Sequence, residues 1–313
     1  MSELLQSIDA RTRLAGTNNL EILMFSLGLD SRTGRTETFG INVFKVREVM
    51  RTPAITSAPD MPNAVMGMVS LRGALVPVID LVRYTGVPTD TMGEVMIVTE
   101  YNGRTQGLLV AAVDTILRLD WSKMKVPPPM LAQKMGGLIT AVTELPDGRL
   151  VMMMDVEKVL SDTSGAEDEE VYRHVIPLGM DDRTVFFADD SSTARMQIAR
   201  TLDALGVRHM QAINGCQAWE SLQRLAEQSA ARGEPLVQSV QIVLTDVEMP
   251  EMDGYMLTRR IKSDARFKGL KVLMHSSLSG DSNQQLGRSV GVDEYVSKFE
   301  PQRLAETLTR LLV

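Results

Sequence analysis

Between residues 161 and 184 the hydrophobic pattern of this chain changes period, and that change decides what it can fold into. Before it, short runs rich in Val, Ile, Leu and Met follow one another with only turn residues between them: LEILMFSLGL, TETFGINV, MGMVSLRG, ALVPVIDL, VMIVTEYN and TQGLLVAAVDTILRL. Asn102-Gly103 falls between two such runs, and both residues tolerate the positive φ of a tight hairpin. This pattern predicts a mostly antiparallel β domain of small barrels or sheets. After the change, short apolar runs alternate with helical ones: TVFFAD and a helix from Ser191, VRHMQA and a helix from Gly215, VQIVLTD and a helix from Gly254, KVLMHS and a helix near Ser282, DEYVSK and a helix from Pro301. Strand–helix alternation of this kind predicts a doubly wound five-stranded parallel α/β domain. The junction SDTSGAEDEE is small and acidic, so it lacks the apolar surface needed to order itself. The 313 residues thus divide into a lead-in at 1–17, with Leu4, Leu5, Ile8 and Leu14 at helical spacing, a β domain at 18–160, an acidic linker at 161–181 and an α/β domain at 182–313.

Charge and residue counts exclude several function classes. A formal net charge of -7 with no Lys/Arg run disfavours a nucleic-acid partner. Cys216 is the one cysteine, so neither an internal disulfide nor a multi-cysteine metal site is available. His174, His209 and His275 are scattered and form no ligand cluster. No run of about 18 apolar residues predicts direct membrane insertion. MSELLQSIDARTRLAG lacks the apolar stretch of a secretory signal, and the expected location is the cytoplasm.

In an open parallel sheet, ligands bind beyond the carboxyl ends of the strands. Strand ends in the C-terminal half carry Asp189-Asp190, Asp246, Ser276 and Lys298. Clustered acids repel one another unless a cation joins them. A hard divalent ion such as Mg²⁺ meets that need and shares its coordination with phosphate oxygens. One carboxylate can then act as a nucleophile toward phosphorus. The segments ADDSSTAR at 188–195, LTDVEMPEMDGYML at 244–257, VLMHSS at 272–277 and EYVSKF at 294–299 resemble the receiver domains of two-component response regulators. That resemblance implies Asp246 as the phosphoacceptor, and Asp189, Asp190, Asp246 and the backbone carbonyl of Glu248 as Mg²⁺ ligands. It also implies Lys298 as the phosphate-pairing cation, and Ser276 and Tyr295 as the switch pair. Two departures stand out. Phe299 follows Lys298 where the family commonly has a proline, and His275 takes a strand position that is usually aliphatic, as a structural histidine or a pH-sensitive one.

The N-terminal half carries no catalytic constellation, which points to a binding module. Within it, FGINVFKVREVM at 39–50, MGMVSLRGALVPVIDL at 66–81, GLLVAAVDTIL at 107–117 and LVMMMDVEKVL at 150–160 resemble the CheW-like coupling domain. Two small five-stranded β subdomains are the fold that resemblance implies. Its implied partners are methyl-accepting chemoreceptors and a CheA-type histidine kinase, met through a surface around Val43, Val46, Arg72 and Val95. In FKVREVM the apolar residues stand among charged ones as in an amphipathic helix, and Arg72-Gly73 reads as a turn that presents the arginine. Core packing is the alternative for the valines, and a local salt bridge for Arg72. The Met152-Met153-Met154 run reads as strand packing or as an adaptable binding surface.

Together the halves have the layout of CheV-type chemotaxis proteins. The implied role is an adaptor at membrane chemoreceptor arrays, regulated by, or acting as a sink for, phosphorylation at Asp246. The resemblance also implies a phosphoacceptor that promotes its own phosphorylation and dephosphorylation rather than a turnover enzyme. Two other classes fit less well. Haloacid-dehalogenase-type phosphatases have a second acid two residues after a strand-one nucleophile, whereas Asp246 lies on strand three and is followed by Val247 and Glu248. A transcription regulator would carry a helix-turn-helix pattern or a basic segment, and neither is present.

Overall fold

The computed structural model describes residues 19–57, 59–89, 91, 93–101, 104–163, 177, 182–276, 287–298 and 300–312. The expected lead-in helix, the Asn102-Gly103 turn, Phe299, the helix start near Ser282 and most of the expected linker lie outside them. Backbone contacts divide the chain into two compact units, one spanning Leu20–Gly165 and one holding the residues from Ala166 onward.

The first unit contains β1 (Asn19–Asp30), β2 (Arg35–Asn42), β3 (Val46–Arg51), β4 (Val65–Leu71), β5 (Ala74–Asp80), β6 (Val95–Tyr101), β7 (Arg104–Val110), β8 (Ala112–Asp120), β9 (Ile139–Glu144) and β10 (Leu150–Met154). Three short helices accompany them: α1 (Leu81–Thr85), α2 (Pro129–Lys134) and α3 (Val156–Thr163). The strands form two five-stranded sheets, ordered β8-β1-β2-β10-β9 and β3-β6-β7-β5-β4. The same plan underlies both. Each has two antiparallel hairpins joined through a parallel pair, β2 with β10 in one and β7 with β5 in the other.

Each sheet also curls toward closure by the same device. The chain leaving β3 bends so that Thr56 pairs with Met68 of β4, at the far edge of its sheet, through reciprocal backbone bonds of 2.9 and 2.8 Å. The chain leaving β8 does likewise when Lys125 pairs with Val142 of β9 at 2.8 Å in both directions. Covering both edges removes the unpaired N–H and C=O groups that would otherwise recruit foreign strands. Gly67 makes the first closure possible, since a Cβ there would lie 2.2 Å from the Thr56 carbonyl oxygen.

Several elements differ from expectation for local reasons. FKVREVM is not a helix: Val43–Lys45 form a 3₁₀ turn capped by Asn42, and β3 follows. A helix would put Val46, Val49 and Met50 on one face. Pairing with β6 instead turns Val49 outward and leaves Val46 and Met50 half-buried, as a period of two requires. TQGLLVAAVDTILRL breaks at Ala111, and its two strands, β7 and β8, enter different sheets. Ser161–Thr163, expected in the linker, complete α3. The Met152-Met153-Met154 run is strand packing, with Met153 and Met154 in the cores and Met152 against one of them.

The second unit comprises β11 (Thr184–Ala188), α4 (Ser192–Leu205), β12 (Arg208–Ala212), α5 (Gly215–Ala231), β13 (Ile242–Thr245), α6 (Gly254–Ser263), β14 (Lys271–Ser276), β15 (Glu294–Ser297) and α7 (Pro301–Leu312). Its five strands are parallel, in the order β12-β11-β13-β14-β15. Both sheet faces are covered, which is why TVFFA and IVLT are apolar throughout rather than alternating. Phe186 and Val243 face one core with α5 and α6, while Phe187 and Leu244 face the other with α4 and α7. The helices start within a residue of expectation, capped by Ser191 on α4, Asn214 on α5 and Asp253 on α6. Cys216 is partly buried against the first of these cores.

Candidate functional site

The switch in strand order falls between β11 and β13, and the acidic residues gather there. Asp189 follows β11 directly and Asp246 follows β13; the pairing of Ala188 with Thr245 sets the two side by side. Carboxylate oxygens of Asp189, Asp190 and Asp246 lie within 4.8 Å of one another. Lys298, directly after β15, reaches the same point from the other side. Its Nζ is 2.8 Å from Asp189 Oδ2 and 2.9 Å from Asp246 Oδ2, and its side chain is only 2% exposed.

Backbone bonds orient the acids. Asp189 Oδ1 accepts the Ser191 N–H at 2.9 Å, and Asp246 Oδ1 accepts the Val247 N–H at 2.7 Å. Three carboxylates against one ammonium leave two negative charges in a largely buried place. Hard oxygen donors with that residual charge fit a divalent cation such as Mg²⁺.

Ser276 ends β14 and is buried. The Ser276 hydroxyl is hydrogen-bonded to Tyr295 on the neighbouring strand. Burial pushes the Tyr295 phenol well above its ordinary range, and that hydrogen bond opposes the shift only in part. Tyr295 packs against a small cluster of Val247, Tyr255, Met274 and Val290, so the Ser276–Tyr295 pair adjoins the loop that carries Asp246. His275 is buried between Met274 and Ser276 in β14.

Sequence reasoning did not single out the residues that support this rim. Arg195 Nη1 donates to the backbone carbonyls of both Asp189 and Asp190, at 2.8 and 2.9 Å. The loop from Asp246 to α6 is held just as closely. Asn214 Nδ2 donates to Glu251 Oε2 at 3.0 Å, and Glu251 itself sits at φ 66°. A Cβ on Gly215 would meet the Met252 carbonyl oxygen at 2.3 Å, and one on Gly254 would meet that of Asp246 at 2.0 Å. For Gly215 and Gly254, a glycine at the start of a helix after a polar cap is the signal that could have found them.

The expected coupling surface is only partly surface. Val43 is 4% exposed and belongs to the core, so it is unavailable to a partner. Val46 and Val95 are half-buried against that core. Arg72 is exposed at the tip of the β4–β5 hairpin, where it and Gly73 both adopt positive φ (50° and 85°), and its guanidinium pairs with Glu48 of β3 at 2.9 Å. The turn and the local salt bridge are therefore both present.

The chain thus joins a double β unit, in which no catalytic cluster is found among the described residues, to a doubly wound unit with an acidic rim. Residues 22–164 match the CheW-like domain and residues 185–309 the response regulator receiver domain. The chain is 26% identical over 300 residues to chemotaxis protein CheV3 of Helicobacter pylori, covering 94% of this chain and 95% of that one. It is 35% identical over 126 residues to chemotaxis protein CheY1 of the same organism, covering 40% of this chain and 92% of that one. With chemotaxis protein CheW of Klebsiella aerogenes it shares 31% identity over 154 residues, 48% of this chain and 87% of that one. The chain belongs to the CheV-type chemotaxis coupling proteins, in which a CheW-like domain is joined to a response regulator receiver domain.

Proposed function

We propose that this protein is an adaptor that couples methyl-accepting chemoreceptors to a CheA-type histidine kinase, and that the kinase phosphorylates it on Asp246. The convergence of Asp189, Asp190, Asp246 and Lys298 at the ends of three strands carries the reading. Asp189, Asp190, Asp246 and the Glu248 backbone carbonyl would hold Mg²⁺, which when bound neutralises charge on phosphoryl oxygens. Lys298, 2.9 Å from Asp246 Oδ2, orients that carboxylate. An Asp246 carboxylate oxygen then forms the bond to phosphorus as the bond to the donor imidazole breaks, and the lone pair returns to that nitrogen. Lys298 stays to pair with the added phosphoryl charge. Ser276 turns its hydroxyl toward the new phosphoryl oxygens, which removes its hydrogen bond to Tyr295 and lets that ring repack. Phosphorylation thus biases two packings of the receiver and changes coupling, or drains phosphate from the kinase. The protein stores a phosphoryl group and releases it to water, and turns over no small substrate. Its place of action is the membrane receptor array, reached through its partners; among the described residues no helix is long and apolar enough to cross a membrane.

The test is phosphoryl transfer from labelled kinase to the full chain and to Asp246→Asn, with and without Mg²⁺. Metal-dependent labelling that disappears in the variant is expected. Labelling that persists in Asp246→Asn would sink the assignment.

A further inference from the structure

A buried ion pair ties the two β sheets of the CheW-like domain together. The 3₁₀ turn Val43–Lys45 is the crossover from β2 of one sheet to β3 of the other. Lys45 Nζ reaches Glu157 Oε1 of α3 at 2.9 Å, and the Glu157 side chain is 1% exposed. Helix α3 is well seated for this purpose. Asp155 caps it through the N–H groups of Glu157 and Lys158, and Val156 and Val159 are fully buried in the core shared with Val43, Ile97 and Leu108. A second tie comes from β7, where Gln106 Nε2 donates to the Val156 carbonyl at 3.2 Å.

Stability alone does not call for this arrangement. An apolar pair of similar volume often serves a fold as well as a buried ion pair or better. What charge adds is a fixed length and direction, and here the fixed group immediately precedes β3. Val46 is the next residue, and Glu48, the partner of exposed Arg72, is three residues on. We propose that Glu157 is a positioning residue for the coupling surface: by holding Lys45 it sets the start of β3, and so the place where the Glu48–Arg72 pair is presented to a partner. The inference rests on the coupling role proposed above.

The experiment compares the full chain with Lys45→Met/Glu157→Leu and with Glu157→Asp. Each is sedimented with membranes carrying chemoreceptors and the histidine kinase, and each is unfolded in urea. The apolar double variant is expected to keep the wild-type urea midpoint yet bind about tenfold more weakly. Glu157→Asp keeps the charge but shortens the reach, and is expected to bind more weakly while remaining folded. Wild-type affinity in either variant overturns the inference, since the pair would then be packing only. Failure of the unmodified chain to sediment would instead refute the coupling role itself, and the positioning role with it. Phosphoryl uptake by the receiver should be unchanged in both variants and serves as the control for intact protein.

Discussion

Gly254→Ala tests how tightly the receiver site is built. Gly254 opens α6, and alanine is the better helix former by about 1 kcal/mol. On propensity alone the variant would be more stable. The structure predicts the reverse, because the added Cβ would lie 2.0 Å from the Asp246 carbonyl oxygen and 3.0 Å from its carbonyl carbon. An ordinary contact is about 3.5 Å, so helix and loop must separate by more than about 1 Å. Neither yields easily. The Gly254 N–H is bonded to the Val247 carbonyl at 3.0 Å, and Thr258 Oγ1 is bonded to the Gly254 carbonyl at 2.7 Å. Overpacking costs about 1–3 kcal/mol, and contact with backbone belongs at the upper end. The expected net loss in urea unfolding is therefore about 2 kcal/mol. Moving the nucleophile by about 1 Å should slow phosphoryl uptake on the order of 100-fold. Gly287→Ala is the control, since its Cβ would meet nothing closer than 3.6 Å; it should be neutral or slightly stabilising. If Gly254→Ala matches the wild type in both stability and labelling, the reasoning fails.

Lys298→Met removes the ammonium that separates Asp189 from Asp246. It should destabilise the metal-free receiver by about 3–5 kcal/mol, with Mg²⁺ restoring part of the loss in urea titrations; a loss independent of metal would count against an acidic cation site. Asp293 resists protonation in the fold. Burial alone would raise its pKa, but the Lys262 ammonium, the Val272 N–H and Lys271 together bring it below the ordinary 3.8. Its stabilisation is then fully present above about 4 and is lost as pH falls through the lower folded value. Asp293→Asn should be less stable than wild type at neutral pH and should converge with it in acid-unfolding curves; parallel curves down to low pH would refute the assignment.

The receiver was legible because its chemistry-bearing residues sit where parallel strands must end. TVFFAD and IVLTD run from fully buried strands, and YVSK from a half-buried one, into a charged residue, so one-dimensional spacing places Asp189, Asp246 and Lys298 on one rim. Helix starts were readable too, since Gly215 and Gly254 open α5 and α6 as expected and Ser191 caps α4. The supports were not. Arg195 acts through backbone carbonyls rather than side chains, and Asn214 meets Glu251 across 37 positions of sequence, so neither contact leaves a local pattern.

The β domain hid more, and for a different reason. Its two sheets exchange strands along the chain, so continuous apolar text conceals a change of sheet at Ala111, and a charged stretch at Phe44–Met50 carries a strand in helical disguise. When an element contributes to two cores, apolar residues appear at both periods, and pairing partners decide between them. The same ambiguity explains Val43, Val46 and Val95. A valine at such a position is legible neither as core nor as contact until its burial is known, and Val43 proves to be core. Charge was the better guide: Arg72 is exposed, Glu48 lies across from it, and Lys45 leads by a second ion pair to Glu157. Two ion pairs, one exposed at a hairpin tip and one buried at the crossover, bracket the first three residues of β3. On the coupling role proposed above, a partner recognising that short strand would read a geometry set by both sheets, a physical reason for joining two sheets in one coupling module.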